Sequence, residues 1–327
     1  MLICLYEDRH EQVSGLKLLL LSLRHHCPSW IIRLRFPGIA DEFRSWLGSF
    51  PNVTVVDEPL SVFGTYDVKP NVLLDGLSIC DQCLWLDTDV LVNGDLSVLE
   101  NYDSETVIVT QDPWEYPLGS THRCKTWGVP LGRELEGPLN SAVVRVSRHH
   151  EVLLRAWQTA LSNEAYLREK EKPVKNRNQH LLSDQDGLSA LLASADFKNI
   201  PIRKLLHPTE ILQHHGAGAY GLVHRSQNLR NGLPLLLHAM GTVKPWRAPK
   251  HPQLMLKPRE YYERTYLELS PYVHIARQYR SLLSEESSWM DLQTFTGKLG
   301  SLITLNQPCL KGVLQATVHR FLRGLTT

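Results

Sequence analysis

Cys83-Leu84-Trp85-Leu86-Asp87-Thr88-Asp89-Val90-Leu91-Val92, CLWLDTDVLV, sets two carboxylates one residue apart inside an otherwise apolar run. The run reads as the fourth strand of the chain, with the acids where Leu84-Trp85-Leu86 has just finished. In an extended strand, residues i and i+2 point to one side, so Asp87 and Asp89 converge on one object while Thr88 points away. Two converging carboxylates repel, and they need a cation or a shared proton between them. Capping of the following turn, or a solvated loop, would also place acids here. The apolar residues on both sides argue instead for enclosure, and enclosed charges require partners. Open parallel sheets bind ligands beyond the carboxyl ends of their strands. A divalent metal at that edge is the simplest explanation.

Outward from this stretch, short apolar runs alternate with segments of helical period. Strands are expected at Leu2 to Tyr6, Ile31 to Phe36 and Val53 to Val56. Val13, Leu16, Leu19, Leu20 and Leu23 recur at helical spacing before Cys27-Pro28. A second helix is expected over Ile39 to Leu47. A third starts at Lys69-Pro70, where proline's missing N–H costs little, and runs to Ile79. Strands alternating with helices imply βαβ units and a mostly parallel sheet. Beyond Val92, strands at Thr106 to Thr110 and Leu139 to Val146 flank a long loop-like interval, the kind of connection that carries function. Helices follow at His149 to Glu169 and Ser183 to Ala195, separated by the charged surface connector EKEKPVKNRNQH. Leu235 to His238 is a late strand. The character turns helical from Pro258, so the expected division is residues 1–250 as the catalytic domain and 251–327 as a helical extension.

The 327 residues are 43% hydrophobic, enough for a sizeable core. Lys+Arg of 35 against Asp+Glu of 34 leaves +1, so no global field recruits nucleic acid, and any phosphate binding must be local. The opening MLICLYEDRH predicts no signal peptide, and no apolar run approaches the roughly 20 residues of a membrane span. Six irregularly spaced cysteines suit reduced thiols in the cytoplasm, and Cys80-Asp-Gln-Cys83 reads as structural, since zinc or redox use wants a second pair or a helix start. After Asp291 there is no acid, while Lys298, Lys311, Arg320 and Arg323 interleave with apolar residues. Such a tail either caps the domain or lies peripherally on an anionic membrane face.

An apolar strand, Asp-x-Asp, then further apolar residues resembles the metal-binding signature of GT-A fold glycosyltransferases, and this version is similar to glycosyltransferase family 8. Three further segments carry the resemblance in the family's order. Leu139-Asn140-Ser141-Ala142 is similar to an Asn-Ser-Gly segment whose Asn faces the donor sugar, with Ala142 in place of the usual Gly. Ser183-Asp184-Gln185-Asp186 resembles the Asp-Gln segment beside the anomeric carbon, and it is also a capping box, with Ser183 as N-cap and Asp186 three residues on. His238-Ala-Met-Gly241-Thr-Val-Lys244-Pro-Trp246 is similar to the family's His-x-x-Gly-x-x-Lys-Pro-Trp. Lys69 resembles a family lysine near the donor. At the first strand, Tyr6-Glu7-Asp8-Arg9 departs from the Thr and Tyr that contact the base in relatives.

The resemblance covers residues 1 to 246. It implies a GT-A fold and a transferase that moves a hexose from a nucleotide-diphosphate sugar, a UDP-sugar, with retention of configuration. It implies Asp87, Asp89 and His238 as ligands for Mn²⁺ or Mg²⁺, with imidazole beside two carboxylates favouring manganese. It implies Gly241 and Lys244 on the diphosphate, Lys69 and Asp186 in substrate binding, and Asn140, Asp184 and Gln185 at the sugar. The acceptor stays open as a carbohydrate, a lipid-linked molecule or a protein. Retention runs either through a carboxylate nucleophile, for which Asp184 or Asp186 is the candidate, or by same-face displacement. The competing expectations are a nucleotide-sugar-binding protein without turnover and an Asp-x-Asp phosphohydrolase. The hydrolase signature, however, wants Thr or Val where Leu91 stands.

Overall fold

The computed structural model describes residues 1–60, 67–113, 119–213, 220–241, 243–304 and 307–324. In chain order the first elements are β1 (Leu2–Tyr6), α1 (Val13–His26), β2 (Ile31–Arg35), α2 (Asp41–Leu47), β3 (Val53–Val56), α3 (Lys69–Leu77), β4 (Gln82–Leu86), β5 (Val90–Val92) and β6 (Val107–Gln111). They continue with α4 (Ser120–Trp127), β7 (Leu139–Ser147), α5 (Glu151–Leu161), α6 (Glu164–Glu171), α7 (Asp184–Ala193), β8 (Ile202–Leu205), β9 (Ile211–Gln213), α8 (Leu222–Asn231) and β10 (Leu236–His238). Four helices end the chain: α9 (Pro258–Glu268), α10 (Pro271–Ala276), α11 (Phe295–Ile303) and α12 (Val313–Gly324). The chain forms two compact units, one from residues 1–10, 28–88 and 97–205, the other from 11–27, 89–96 and 206 onward.

The first unit is a seven-stranded sheet in the order β3-β2-β1-β4-β7-β6-β8, flanked by helices. Four of its pairings are parallel, and β7 alone runs against both of its neighbours. This is the mostly parallel α/β sheet that alternating strands and helices imply. Its core joins β1, β4 and β7 to α3, α5 and α7 through Leu73, Trp85, Val144, Leu154, Trp157 and Leu188. All nine residues of β7 are buried, Arg145 included. That charge is tolerated because its guanidinium donates to the carbonyls of Tyr102, Asp103 and Thr106 and to Gln82 Oε1. Cys83 of the CxxC is buried in β4, whereas Cys80 before it is half-buried. A Cβ on Gly76 of α3 would lie 2.5 Å from Cys4 Sγ and 2.7 Å from Cys83 Sγ, so the helix sits directly on these thiols. The Cys83 contact and burial hold the Cys4 thiol well above its ordinary range.

The second unit contains a three-stranded sheet, β5-β10-β9, with β10 antiparallel to β5 and parallel to β9. Against β5 packs α1, buried continuously from Gly15 to Leu23, a mostly leucine run that also takes in Lys17 and Ser22. Ser22 joins the two, donating to Leu19 O and accepting from Val92 N–H. No described helix is long and apolar enough to cross a membrane.

Several expected elements differ. The fourth strand is two strands in two sheets, β4 and β5, with Thr88 and Asp89 in a turn between them. The expected helix from His149 to Glu169 breaks at Ser162-Asn163, where Asn163 Oδ1 accepts from Ala165 N–H and starts α6. Side-chain capping thus overrides a continuous apolar period. The long interval before β7 carries α4, whereas residues 114–118 of it lie outside the described residues. The helix expected from Ser183 is α7, with Ser183 as its N-cap. Three elements, β8, β9 and α8, had no distinct signal, being short or weakly apolar.

Candidate active site

The backbone around the two acids is pinned by both sheets. Asp87 N–H donates to Ala142 O at 2.8 Å, continuing the β4–β7 ladder, and Asp89 O accepts from Ala239 N–H at 3.0 Å, continuing β5–β10. Thr88 is not idle between them. Its hydroxyl donates to Glu7 Oε2 at 2.6 Å, and buried Glu7 also receives Arg9 Nε at 2.8 Å. The Tyr6-Glu7-Asp8-Arg9 segment therefore clamps the middle of the Asp-x-Asp turn. The acids share a side because of this turn and not through strand alternation.

In the first unit a buried lysine organises the groups. Lys69, 2% exposed at the start of α3, reaches Asp87 Oδ1 at 3.0 Å, Asp184 Oδ2 at 3.2 Å, and Ser141 Oγ and O at 2.8 and 3.1 Å. Burial alone would lower the pKa of Lys69. Asp184 and Asp87 outweigh it and hold the ammonium above the usual lysine range. Trp85 Nε1 donates to Asp87 Oδ1 at 2.7 Å, and Ser141 Oγ donates to Asp184 Oδ2 at 2.6 Å. Burial raises Asp184, opposed by Lys69 and Ser141. Asn140 Nδ2 donates to Gln185 Oε1 at 3.0 Å, and Gln185 Nε2 donates to Asp112 Oδ2 at 2.9 Å. The β6–β7 register shifts between the pairs Ile108–Arg145 and Thr110–Asn140, so the extra residues lie on β7 beside Asn140, where such an irregularity re-aims side chains. Ala142 serves through its backbone, its N–H donating to Asn140 Oδ1.

Asp186 stands apart from that cluster. Its Oδ2 accepts from the N–H groups of Leu182 and Ser183, both at 3.2 Å, and Arg123 Nε lies 3.7 Å from Oδ1. It is the acid of the capping box. Burial pushes its carboxyl up to about 7, against the pull of Arg123 and the two N–H donors.

In the second unit Asp89 Oδ1 lies 3.3 Å from His238 Nε2, and its Oδ2 pairs with Lys244 Nζ, which also donates to Ala239 O at 2.9 Å. Burial would raise Asp89, but Lys244 and His238 hold it well below the usual carboxylate range. Gln213 Oε1 accepts from His238 Nδ1 at 2.9 Å, which fixes the tautomer. Gly241 has φ +129°, a left-handed backbone that favours glycine and shapes the turn carrying Lys244. Thr242, inside that motif, lies outside the described residues.

Asp87, Asp89 and His238 each offer one ligand atom, all within 4.8 Å of one another. The donor set fits a divalent first-row cation: two carboxylates and an imidazole. With its Nδ1 against Gln213 Oε1, His238 presents Nε2 to Asp89 Oδ1 at 3.3 Å, an arrangement that a cation between the two would complete. Ser141, Gln213, Asp112, Trp85 and Glu7 are the participants that sequence reasoning missed. A lone serine in a strand, or a glutamine before a histidine distant in the chain, carries no spacing signal.

No protein-family model and no curated protein sequence matches the chain. Among solved structures, the chain is similar to the galactosyltransferase LgtC in complex with donor and acceptor sugar analogs, at 19% identity and TM-score 0.49, covering 75% of this chain and 89% of that one. It is also similar to the glycosyltransferase GlyE of Streptococcus pneumoniae TIGR4, at 16% identity and TM-score 0.46, covering 86% and 63%. A third is the bifunctional glycosyltransferase WbbM, at 13% identity and TM-score 0.47, covering 75% and 46%.

Proposed function

We propose that this protein is a metal-dependent glycosyltransferase of the GT-A type that moves a hexose from a UDP-sugar to an acceptor with retention of configuration. The observation that carries the proposal is the Asp87, Asp89 and His238 set, closed to 4.8 Å with its imidazole oriented by Gln213. In this reading residues 1–250 perform the transfer and 251–327 form a helical extension.

Asp87, Asp89 and His238 would hold the divalent cation, Mn²⁺ or Mg²⁺. When bound, that ion neutralises the charge developing on the diphosphate leaving group, a contribution of several kcal/mol. Lys244, already paired with Asp89, is a point charge for a phosphate oxygen. Lys69 holds Asp87 and Asp184 in place through one ammonium, so those carboxylates need no reorganisation when substrate arrives. Asp184, held by Lys69 and Ser141, would steady positive charge at the anomeric carbon. Asn140 and Gln185 form one hydrogen-bonded pair, offering amide groups to sugar hydroxyls. Asp186 takes part through the start of α7, which it caps, and thereby aims Asp184 and Gln185. Gly241 supplies the backbone turn that brings Lys244 to Asp89.

The test is manganese-dependent release of nucleoside diphosphate across a panel of nucleotide sugars. D89A is expected to lose about a hundredfold or more in kcat/KM, the equivalent of the several kcal/mol a Lewis acid contributes. If no donor is turned over and none raises Tm with manganese present, the transferase reading fails. Phosphate release from simple phosphomonoesters would favour the hydrolase, and donor binding without turnover the binding protein.

A further inference from the structure

Both carboxylates of the candidate metal set already meet an ammonium, Asp87 from Lys69 and Asp89 from Lys244. The two lysines are held very differently. Lys69 is 2% exposed and reaches four oxygens, one each on Asp87 and Asp184 and two on Ser141. Withdrawing it would strand buried Asp184 without its cation, so Lys69 is a fixed part of the site. Lys244 has two acceptors, the Asp89 carboxylate and Ala239 O at 2.9 Å. It stands in irregular backbone between exposed Val243 and buried Pro245, three residues beyond Gly241. Its flexible four-carbon stem lets the ammonium leave Asp89 while β5 and β10 keep their places. Lys244 is thus the releasable cation of the two.

Asp89 presents one oxygen to His238 Nε2 at 3.3 Å and the other to Lys244. With that second oxygen taken and its charge neutralised, Asp89 attracts a divalent cation weakly. A diphosphate changes the balance, because its oxygens offer the ammonium a partner of higher charge and leave Asp89 to the metal. We propose that Lys244 is a resident counter-cation: it occupies Asp89 in the absence of ligand and transfers to the diphosphate when metal and diphosphate enter together. This role rests on the transferase reading and adds to it a regulation of the same site, in which neither ligand binds tightly without the other. One side chain then carries the coupling, which is reciprocal and of a kind typically worth about 5–150-fold in affinity.

The test measures two affinities of the full chain at pH 8: Mn²⁺ alone, by electron paramagnetic resonance of the free ion, and the preformed manganese–UDP complex, by calorimetry. K244M is expected to bind Mn²⁺ alone about tenfold more tightly than wild type, because nothing has to leave Asp89, and to bind manganese–UDP about tenfold more weakly. K244R keeps a cation on Asp89 and is expected to match wild type with Mn²⁺ alone. Because K244M strands a buried carboxylate, its Tm without metal should fall and its rise in Tm with Mn²⁺ should exceed that of wild type; if K244M does not fold, K244Q carries the same two titrations. A lysine that only positions Asp89 would weaken both affinities when removed, and one that only contacts phosphate would leave Mn²⁺ affinity unchanged. Either outcome, in a wild type that binds manganese–UDP, overturns the counter-cation role alone. A wild type that binds neither Mn²⁺ nor manganese–UDP overturns the transferase reading and this role with it.

Discussion

Asp186 is the acid that closes the capping box at the start of α7. Its spacing from Ser183 was legible as a capping box, and the structure places its carboxylate on the N–H groups of Leu182 and Ser183. Burial raises its carboxyl to about 7, from an unfolded value near 3.8. Between those values the folded chain binds the proton more tightly than the unfolded one, so stability falls as pH rises through that window and then levels off. The loss is on the order of 4 kcal/mol. D186N keeps an acceptor oxygen and lacks the titration. Its Tm minus that of wild type is expected to be larger at pH 8 than at pH 5, as read by thermal unfolding, and an equal difference at both would show Asp186 ionised throughout. Lys69 was legible only through its resemblance to a family lysine near the donor. Ser141, which bridges Lys69 and Asp184, was not, because its role exists only once β7 lies beside that helix.

Among elements, the Asp-x-Asp stretch teaches most. Continuous apolar residues on both sides of the acids read as one strand, since periodicity cannot register a change of sheet. The turn becomes visible only through its partners, Ala142 on one side and Ala239 on the other. A comparable close approach occurs at the far end of α7. There the loop before β7 runs so near Ala195 that a Cβ on Gly132 would lie 2.5 Å from its Cα. G132A is expected to cost about 1–3 kcal/mol in chemical unfolding, by forcing backbone apart. Helix α11 tests the expectation of membrane contact. Phe295, Leu302 and Ile303 are well exposed on it, with Lys298 exposed between. F295S/L302S is expected to reduce co-sedimentation with anionic vesicles severalfold, by removing apolar area from the interface. Unchanged sedimentation would leave α11 as a surface helix only.

At the scale of the whole molecule, metal binding at the proposed site would couple to folding, because the unfolded chain cannot bring His238 to Asp89. Manganese at 100 times its Kd is expected to stabilise the wild type by about 2.7 kcal/mol. H238A should lose most of that rise in Tm. A rise of equal size in H238A would place the metal elsewhere.

The sequence by itself determined the α/β alternation and the two acids, because these are properties of residue order and local period, and the chemical types of their partners came from its resemblance to a known family. It also contained the capping box of α7. The tertiary structure alone decided that Asp87 N–H joins one sheet while the Asp89 carbonyl joins another, that Glu7 holds Thr88, that Ser141 links Lys69 to Asp184, and that Gln213 sets the His238 tautomer. Each of these is a contact between residues far apart in the chain, fixed by strand register and helix packing. Local sequence carries no record of them.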